Sequence, residues 1–333
     1  MLRQQRILPV RQQQTQVQVC RMGYAKLKEL GLVEGLNTTL NSAQYHGLHG
    51  TFSSSQLKDA LKDMEYFHAK HILHSVEKEH FAAFDIGTYF HTAILEPHLI
   101  EVECAVYKGT RRGKEWDAFK AANEGKAIIT ESEYSTALML VNAVHNSPIA
   151  MARLGRGSPE VSAFVVIRVV GTDIYAPTYN KVLGKRGWDE CKNVPKNGLD
   201  IVLKTRADLL ADHFILDLKS MTGNAKDRHG IKAKVSELSY DLSAALYLDI
   251  FSLASGLVKT EFVWTFASKQ IGNCKNYIAS EENILVGRAK WRKAVLEIAE
   301  GMSHDWDLPD MMDILEPNHY ETEILRESSS SAL

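Results

Sequence analysis

Two aspartates and a lysine stand close together in otherwise apolar runs: Asp208 in Lys204-Thr205-Arg206-Ala207-Asp208-Leu209-Leu210, and Asp217 and Lys219 in Ile215-Leu216-Asp217-Leu218-Lys219. If these runs are antiparallel strands joined by the turn Ala211-Asp212-His213, the two carboxylates converge near one end of the pair. Carboxylates so placed can share a hard divalent cation such as Mg²⁺, which prefers oxygen ligands and keeps several waters. Lys219 follows Asp217 by two residues, so in a strand both side chains leave the same face. A cation and an ammonium beside a phosphate suit phosphodiester hydrolysis. The metal lowers the pKa of an attacking water, while Lys219 positions that water or offsets the developing oxyanion. A different reading makes Asp217 and Lys219 an exposed pair on an edge strand and Asp208 a turn residue. Against it, Phe214, Ile215, Leu216 and Leu218 surround Asp217, and a charged pair in a buried strand is costly without a metal.

These strands need a scaffold. Val161 to Val170 and Ile201 to Leu210 are rich in β-branched and aliphatic residues, and with Phe214 to Leu218 they predict three strands. Leu242 to Leu257 returns to helical period, Glu261 to Ala267 reads as a buried strand, and Glu282 to Ala299 as a long amphipathic helix. Ahead of Pro159 the texture is helical. A helix from about 55 to 72 carries Leu57, Leu61, Met64 and Phe67 at helical spacing behind the hydroxyl cap signal Ser53-Ser54-Ser55. A second covers Ile86 to Leu95 and ends at Pro97, and a third covers Tyr134 to Leu154 and ends at Gly155. The expectation is an α/β fold: a central mixed β-sheet flanked by helices, with a helical N-terminal half. One domain spans 21–302, divided into the helical half 53–155 and the sheet core 159–302. Residues 1–20, rich in Gln and Arg, read as a flexible arm, and 303–333 as a C-terminal tail that frays at Glu327 to Ser331.

Three places could touch a nucleic acid. The basic insertion 171–198 carries Lys181, Lys185, Arg186, Trp188 and Lys192 among glycines, and it reads either as a backbone grip or as an ordinary solvated insertion. Arg111 and Arg112, with Lys114 and Trp116, form a compact basic and aromatic cluster, or equally a solvated charge run. Ser54 and Ser55 stand at a helix N-terminus, where free N–H donors favour a phosphate; plain capping is the simpler role.

Arg206-Ala207-Asp208 followed nine residues on by Asp217-Leu218-Lys219 resembles the signature of PD-(D/E)XK nucleases. Gly87-Thr88-Tyr89-Phe90-His91 resembles the Gly-Thr-x-x-His helix of the RecE (exonuclease VIII) branch, shared more loosely with RecB-type domains. Pro159-Glu160-Val161-Ser162-Ala163-Phe164 is similar to that branch's glutamate-bearing first strand, and Tyr240 to Tyr247 to its helix after the active site. The likeness runs in order from about Ser53 to Ala267.

The resemblance implies a restriction-endonuclease-like core in which His91, Asp208 and Asp217 contact metal, with the Leu218 carbonyl as a further ligand. It makes Lys219 the catalytic lysine and puts Glu160 at the site's edge, touching a second metal or orienting water. Tyr247 and Tyr240 are weaker DNA contacts by the same analogy. The implied activity is a Mg²⁺-dependent exonuclease, Mn²⁺ able to substitute, that digests one strand of linear double-stranded DNA from 5′ to 3′ and leaves 3′ tails for recombination. A homo-oligomeric ring beside a single-strand annealing recombinase, in a phage or prophage setting, belongs to the same picture. Rivals are an endonuclease or end-trimming use of the same site and a non-catalytic DNA-binding protein. Two positions depart from the pattern: Ala207 replaces the usual proline, and Ser243 stands where the Gln-x-x-x-Tyr helix has glutamine.

Composition sets the bounds. Hydrophobic residues make up 45% and charged residues 24%, which supports a sizeable core. A net charge of −2 excludes a global basic field, so any nucleic-acid surface is local. Cys20, Cys104, Cys191 and Cys274 have no zinc or iron-sulfur spacing. With no signal peptide and no apolar run near the ~18 residues that span a bilayer, the expectation is a cytoplasmic chain with reduced thiols and no membrane contact.

Overall fold

The computed structural model describes residues 22–77 and 82–307. The arm 1–20, residues 308–333 of the expected tail, and Cys20 lie outside the described residues. Eleven strands are described in chain order: β1 Gly35–Asn37, β2 Cys104–Tyr107, β3 Ala127–Thr130, β4 Ser158–Val170, β5 Asp173–Ala176, β6 Lys181–Gly184, β7 Gly187–Glu190, β8 Leu199–Leu210, β9 Phe214–Met221, β10 Glu261–Ser268 and β11 Cys274–Ile278.

The main sheet runs β11-β10-β9-β8-β4-β5-β6-β7, with β1 added on β4. Among the described strands only β9 and β10 pair in parallel within it, so the sheet is mixed. That pair needs a crossover, which the helices Arg228–Glu237 and Tyr240–Ser255 supply. β8 and β4 are buried almost throughout because both sheet faces are covered, which is why both read as continuous apolar runs. One face packs against Ser54–Lys62, Tyr240–Ser255 and Glu281–Ser303 around Phe251, Phe262 and Trp291. The other packs against Ala82–Leu95 and Glu131–His145 around Phe90, Leu140 and Leu218.

Two local devices fix the helices behind the site. Gly287 is required by close approach: a Cβ there would stand 2.0 Å from the Asp241 carbonyl oxygen, so the two long helices touch backbone to side. Buried Asp249 then accepts from Arg288 Nη2 at 2.8 Å and from Trp291 Nε1 at 3.2 Å across the same contact.

The expected elements largely form, with corrections. The helix expected over 55–72 is three pieces: Ser54–Lys62, Met64–Phe67 and a π-helical turn His68–Ile72. Asp63 takes an extended conformation and its carboxylate caps the Tyr66 N–H, so the capping side chain overrides continuous apolar spacing. The helix expected over Tyr134 to Leu154 is two, Glu131–His145 and Pro148–Leu154, because Ser147 caps and Pro148 starts a new helix. The basic insertion 171–198 carries three short strands. Its β5, β6 and β7 extend the main sheet as an antiparallel meander. Nor is 53–155 wholly helical, since β2 and β3 form a parallel pair beneath the helix Ala82–Leu95.

Candidate active site

Three acids occupy one row across adjacent strands. The β4–β8 ladder pairs Pro159 with Leu209 and Val161 with Ala207, skipping the rung of Glu160 and Asp208. The β8–β9 ladder pairs Leu209 with Leu216 and stops, so the next rung in register is Asp208 and Asp217. Glu160, Asp208 and Asp217 thus lie side by side where both ladders open. Glu160 holds φ at 52°, a left-handed conformation that costs a non-glycine residue about 1–2 kcal/mol. That conformation takes it out of the ladder, and such strain is found where a site over-determines the backbone. Beyond the opening, Phe52 occupies the β8 edge that β9 has left, donating to the Val202 carbonyl and accepting from Lys204 N, both at 2.9 Å. The helix Ser54–Lys62 consequently begins beside the site.

Each carboxylate holds one oxygen on a protein donor and leaves the other free of any hydrogen bond among the described residues. Asp208 Oδ2 accepts from the Leu218 N–H at 2.6 Å, and Asp217 Oδ1 accepts from Lys219 Nζ at 2.7 Å. Glu160 Oε2 accepts from Arg206. Asp217 Oδ2 is fully buried with no donor at all. An orphaned buried carboxylate oxygen is expensive unless a cation meets it. His91 Nδ1 lies 3.5 Å from Asp208 Oδ2, and ligand atoms of His91, Glu160 and Asp208 all lie within 4.8 Å of one another. The helix Ala82–Leu95 aims His91 because its neighbour Phe90 is fully buried in the opposite-face core, an anchor contributing about 1.5–3 kcal/mol. Since the N–H and C=O of one strand residue leave the same side, the Leu218 carbonyl faces β8 like its N–H.

A cavity of about 360 Å³ encloses the row, lined also by Ser42, His46, Glu96, Glu103 and Tyr247. Five carboxylates face two fixed cations, Arg206 and Lys219, within it. The titration shifts follow that imbalance. Burial raises the Asp217 carboxyl and the Asp208 charge adds to it, against the pull of Lys219. Burial and Asp208 likewise raise Glu160 above its ordinary value despite Arg206. Asp208 goes the other way: burial opposes its charge, but His91, Lys219 and the Leu218 N–H together hold it low. His91 is raised, its burial outweighed by Asp208. Lys219 is driven well above its ordinary value, burial being overcome by Asp217 and Asp208. Excess negative charge, unbonded carboxylate oxygens and one imidazole fit a hard divalent cation.

The structure brings His91, Glu160, Asp208, Asp217, Leu218 and Lys219 together. Tyr247 joins them in the cavity, and Ser54 interacts with its phenol. Ser55 points elsewhere, sharing a hydrogen bond with Ser53 Oγ at 3.0 Å. Arg111 is committed to structure: it donates to Glu133 and to the Ile128 carbonyl, both at 2.7 Å. Arg112 is exposed at the start of the helix Gly113–Ala122, outside the cavity. Lys185 and Arg186 form the β6–β7 turn at the far edge of the sheet, so they do not border the site. Sequence reasoning missed Arg206, which ties Glu160 to the Leu40 carbonyl at 2.9 Å and to Ser162. A charged residue alternating with Lys204 inside an apolar strand was the signal. Ser42 and His46, contributed by the segment that Lys204 holds through the Tyr45 and Leu48 carbonyls, were also missed.

Among the described residues Cys104, Cys191 and Cys274 are free thiols, and no helix is long and apolar enough to cross a membrane.

Comparison with known proteins gives one family and a fold. A family model described as a PDDEXK-like domain of unknown function (DUF3799) matches residues 53–308, more than half of the chain. No curated protein matches. A solved structure of a candidate exonuclease from Eubacterium rectale is similar at TM-score 0.50 and 15% identity, covering 86% of this chain and 98% of that one. The crystal structure of SSO0001 aligns at TM-score 0.24 and 13% identity over 77% of this chain and 88% of that one, too low a likeness to carry fold or function.

Proposed function

This chain belongs to the PDDEXK-like family, and from that membership we propose that it is a metal-dependent deoxyribonuclease acting on the ends of linear double-stranded DNA. The observation that carries the reading is the acid row: Glu160, Asp208 and Asp217 on one rung, each with an unbonded oxygen, beside His91 and Lys219. Nucleases of the PD-(D/E)XK type use divalent metals, and Mg²⁺ suits this oxygen-rich set, with Mn²⁺ able to replace it. Asp208, Asp217, His91 and the Leu218 carbonyl would hold the ion, with Glu160 at its margin. When bound, the metal supplies Lewis acidity toward the phosphate and lowers the pKa of the attacking water.

The chain's own residues do the rest. Lys219 keeps its proton through its carboxylate neighbours, so it presents an ammonium to the scissile phosphate and offsets charge that builds in the transition state. Asp217, bonded to that ammonium, fixes its direction. Arg206 keeps Glu160 turned into the cavity, where its free oxygen can accept a hydrogen bond from the attacking water. Tyr247 borders the cavity and limits how the strand enters. Ser243 is too short to reproduce the longer amide arm of the resembled pattern, so strand placement falls to Tyr247 and the Ser54 helix.

The finer reading is a 5′-to-3′ exonuclease that leaves 3′ single strands for recombination, assembled as a homo-oligomeric ring and paired with a single-strand annealing recombinase. A ring reconciles the near-neutral chain with a DNA channel, because positive charge can be local to the bore. The test is linear duplex labelled separately at its 5′ and 3′ ends, with a closed circle alongside, in Mg²⁺ and in EDTA, and Asp217→Ala as control. Mg²⁺-dependent loss from 5′ ends with the circle spared supports the reading. Equal cutting of the circle makes the chain an endonuclease, and DNA binding without cleavage by wild type makes it a binding protein.

A further inference from the structure

Beside the acid row stands a cation that the mechanism above does not use. Lys58 lies one helical turn after Ser54 on the helix Ser54–Lys62, on the face that meets Tyr240 and the site. It is partly buried, and among the described residues it has neither an ion pair nor a hydrogen bond. Its ammonium instead sits 5.1 Å from the centre of the Tyr240 ring, and Lys219 Nζ sits 5.2 Å from the same centre. Two ammonium groups thus share one aromatic ring and lie within about 10 Å of each other. The lysines that act on it each have a carboxylate: Lys219 has Asp217 at 2.7 Å, and Lys290 has Asp241 at 2.8 Å. Burial and the Lys219 charge bring the Lys58 ammonium down to about 8, against the more distant pull of Asp217 and Asp241, which are bonded to the other two lysines.

We propose that Lys58 binds a backbone phosphate of the DNA strand next to the phosphate that Lys219 meets. Successive phosphates of one strand advance about 3.4 Å along the duplex axis and are also rotated around it, so their separation is on the scale of the two ammonium groups, which stand at most about 10 Å apart, and neighbouring phosphates can meet them one each. Tyr240 acts as the spacer. Its ring attracts both cations and holds them on a common surface. Strand positioning is then set by the helix that starts at the β8–β9 opening, with Ser54 on Tyr247 and Lys58 on the phosphate.

The proposal rests on the nuclease reading, and the experiment separates the two. Affinity for a short duplex is measured by fluorescence anisotropy in EDTA, where cleavage is suppressed, from about 50 to about 200 mM KCl. Wild type is compared with Lys58→Met, which keeps the packing, and Lys58→Arg, which keeps the charge. One phosphate contact contributes a slope of about 0.9 in log K against log salt, so wild type should lose about 3.5-fold more affinity over that range than Lys58→Met. Lys58→Arg should track wild type, and in Mg²⁺ the Lys58→Met defect should fall on KM more than on kcat. A Lys58→Met salt slope equal to wild type overturns the proposal, as does Lys58→Arg behaving like Lys58→Met. Failure of wild type to cleave any DNA in Mg²⁺ or Mn²⁺ overturns the nuclease reading instead, while the salt slopes still report on Lys58.

Discussion

Replacing Glu160 by glutamine should make the metal-free protein more stable and the metal-bound protein less able to hold its ion. The Glu160 and Asp208 ligand atoms are at most 4.8 Å apart. At an effective dielectric constant of about 20, two like charges at that distance repel by about 3.5 kcal/mol. Both side chains are largely buried, so solvent removes little of it. Glutamine keeps an acceptor for Arg206 but loses the charge assistance of that bond, roughly 1.5 kcal/mol. The net gain is about 2 kcal/mol, or about 3 °C in Tm for a chain of 333 residues. The raised carboxyl of Glu160 carries the same sign: folding favours its protonated form, so its stabilising contribution is present below the unfolded value near 4.5 and lost as pH rises through the folded value. The gain of Glu160→Gln should therefore be full above the raised folded value, fade as pH falls through it, and be gone below about pH 4.5. Thermal melts in EDTA at several pH values measure this. Adding Mg²⁺ at ten times its Kd should then stabilise wild type by about 1.4 kcal/mol and the variant by much less. If Glu160→Gln lowers the metal-free Tm and responds to Mg²⁺ like wild type, Glu160 serves only to neutralise Arg206 and the acid-row argument fails.

Other perturbations separate the roles of the remaining residues. Lys219→Met should lower kcat by about 10²–10³-fold; calorimetric titration should find its metal affinity within a few-fold of wild type, and a collapse of that affinity would place Lys219 in support of the carboxylates alone. Metal affinity should strengthen as pH rises through the raised His91 value, because the imidazole must lose its proton to ligate, and His91→Ala should flatten the profile. In the metal-free protein the charged His91 contact with Asp208 has the opposite dependence, stabilising at low pH and fading as pH rises through that value. Arg111→Ala should reduce stability by about 1–3 kcal/mol, because it strands Glu133 and the Ile128 carbonyl, while duplex affinity stays the same; a specific loss of DNA binding would restore it as a nucleic-acid contact.

The strands that carry the site were legible because burial on both faces leaves continuous β-branched runs, and charged residues inside such runs announce chemistry. Asp208, Asp217 and Lys219 could be found that way from residues alone. His91 and Glu160 needed the family pattern: a histidine on an apolar helix has an ordinary explanation, and only the left-handed φ of Glu160 shows why it leaves its ladder. Local capping defeated the long-helix readings at Asp63 and Ser147, where short side-chain hydrogen bonds outweigh periodic apolar spacing. The insertion 171–198 was opaque for a different reason. Its strands are four residues each, and only Asp173–Ala176 alternates exposed with buried positions, so they lack the length from which a period is read. Lys58 could not be read from sequence at all, because what distinguishes it is the missing partner around it.

The most direct measurement is single-turnover cleavage of linear duplex DNA by wild type and Asp217→Asn, each with saturating Mg²⁺ and with EDTA. Asparagine keeps the shape of the side chain and removes the charge that the orphaned Oδ2 would bring to a metal. The account predicts cleavage by wild type only with Mg²⁺ and a loss of at least about 10³-fold in the variant. Cleavage by wild type in EDTA, or Mg²⁺-dependent cleavage that survives in Asp217→Asn, would contradict it.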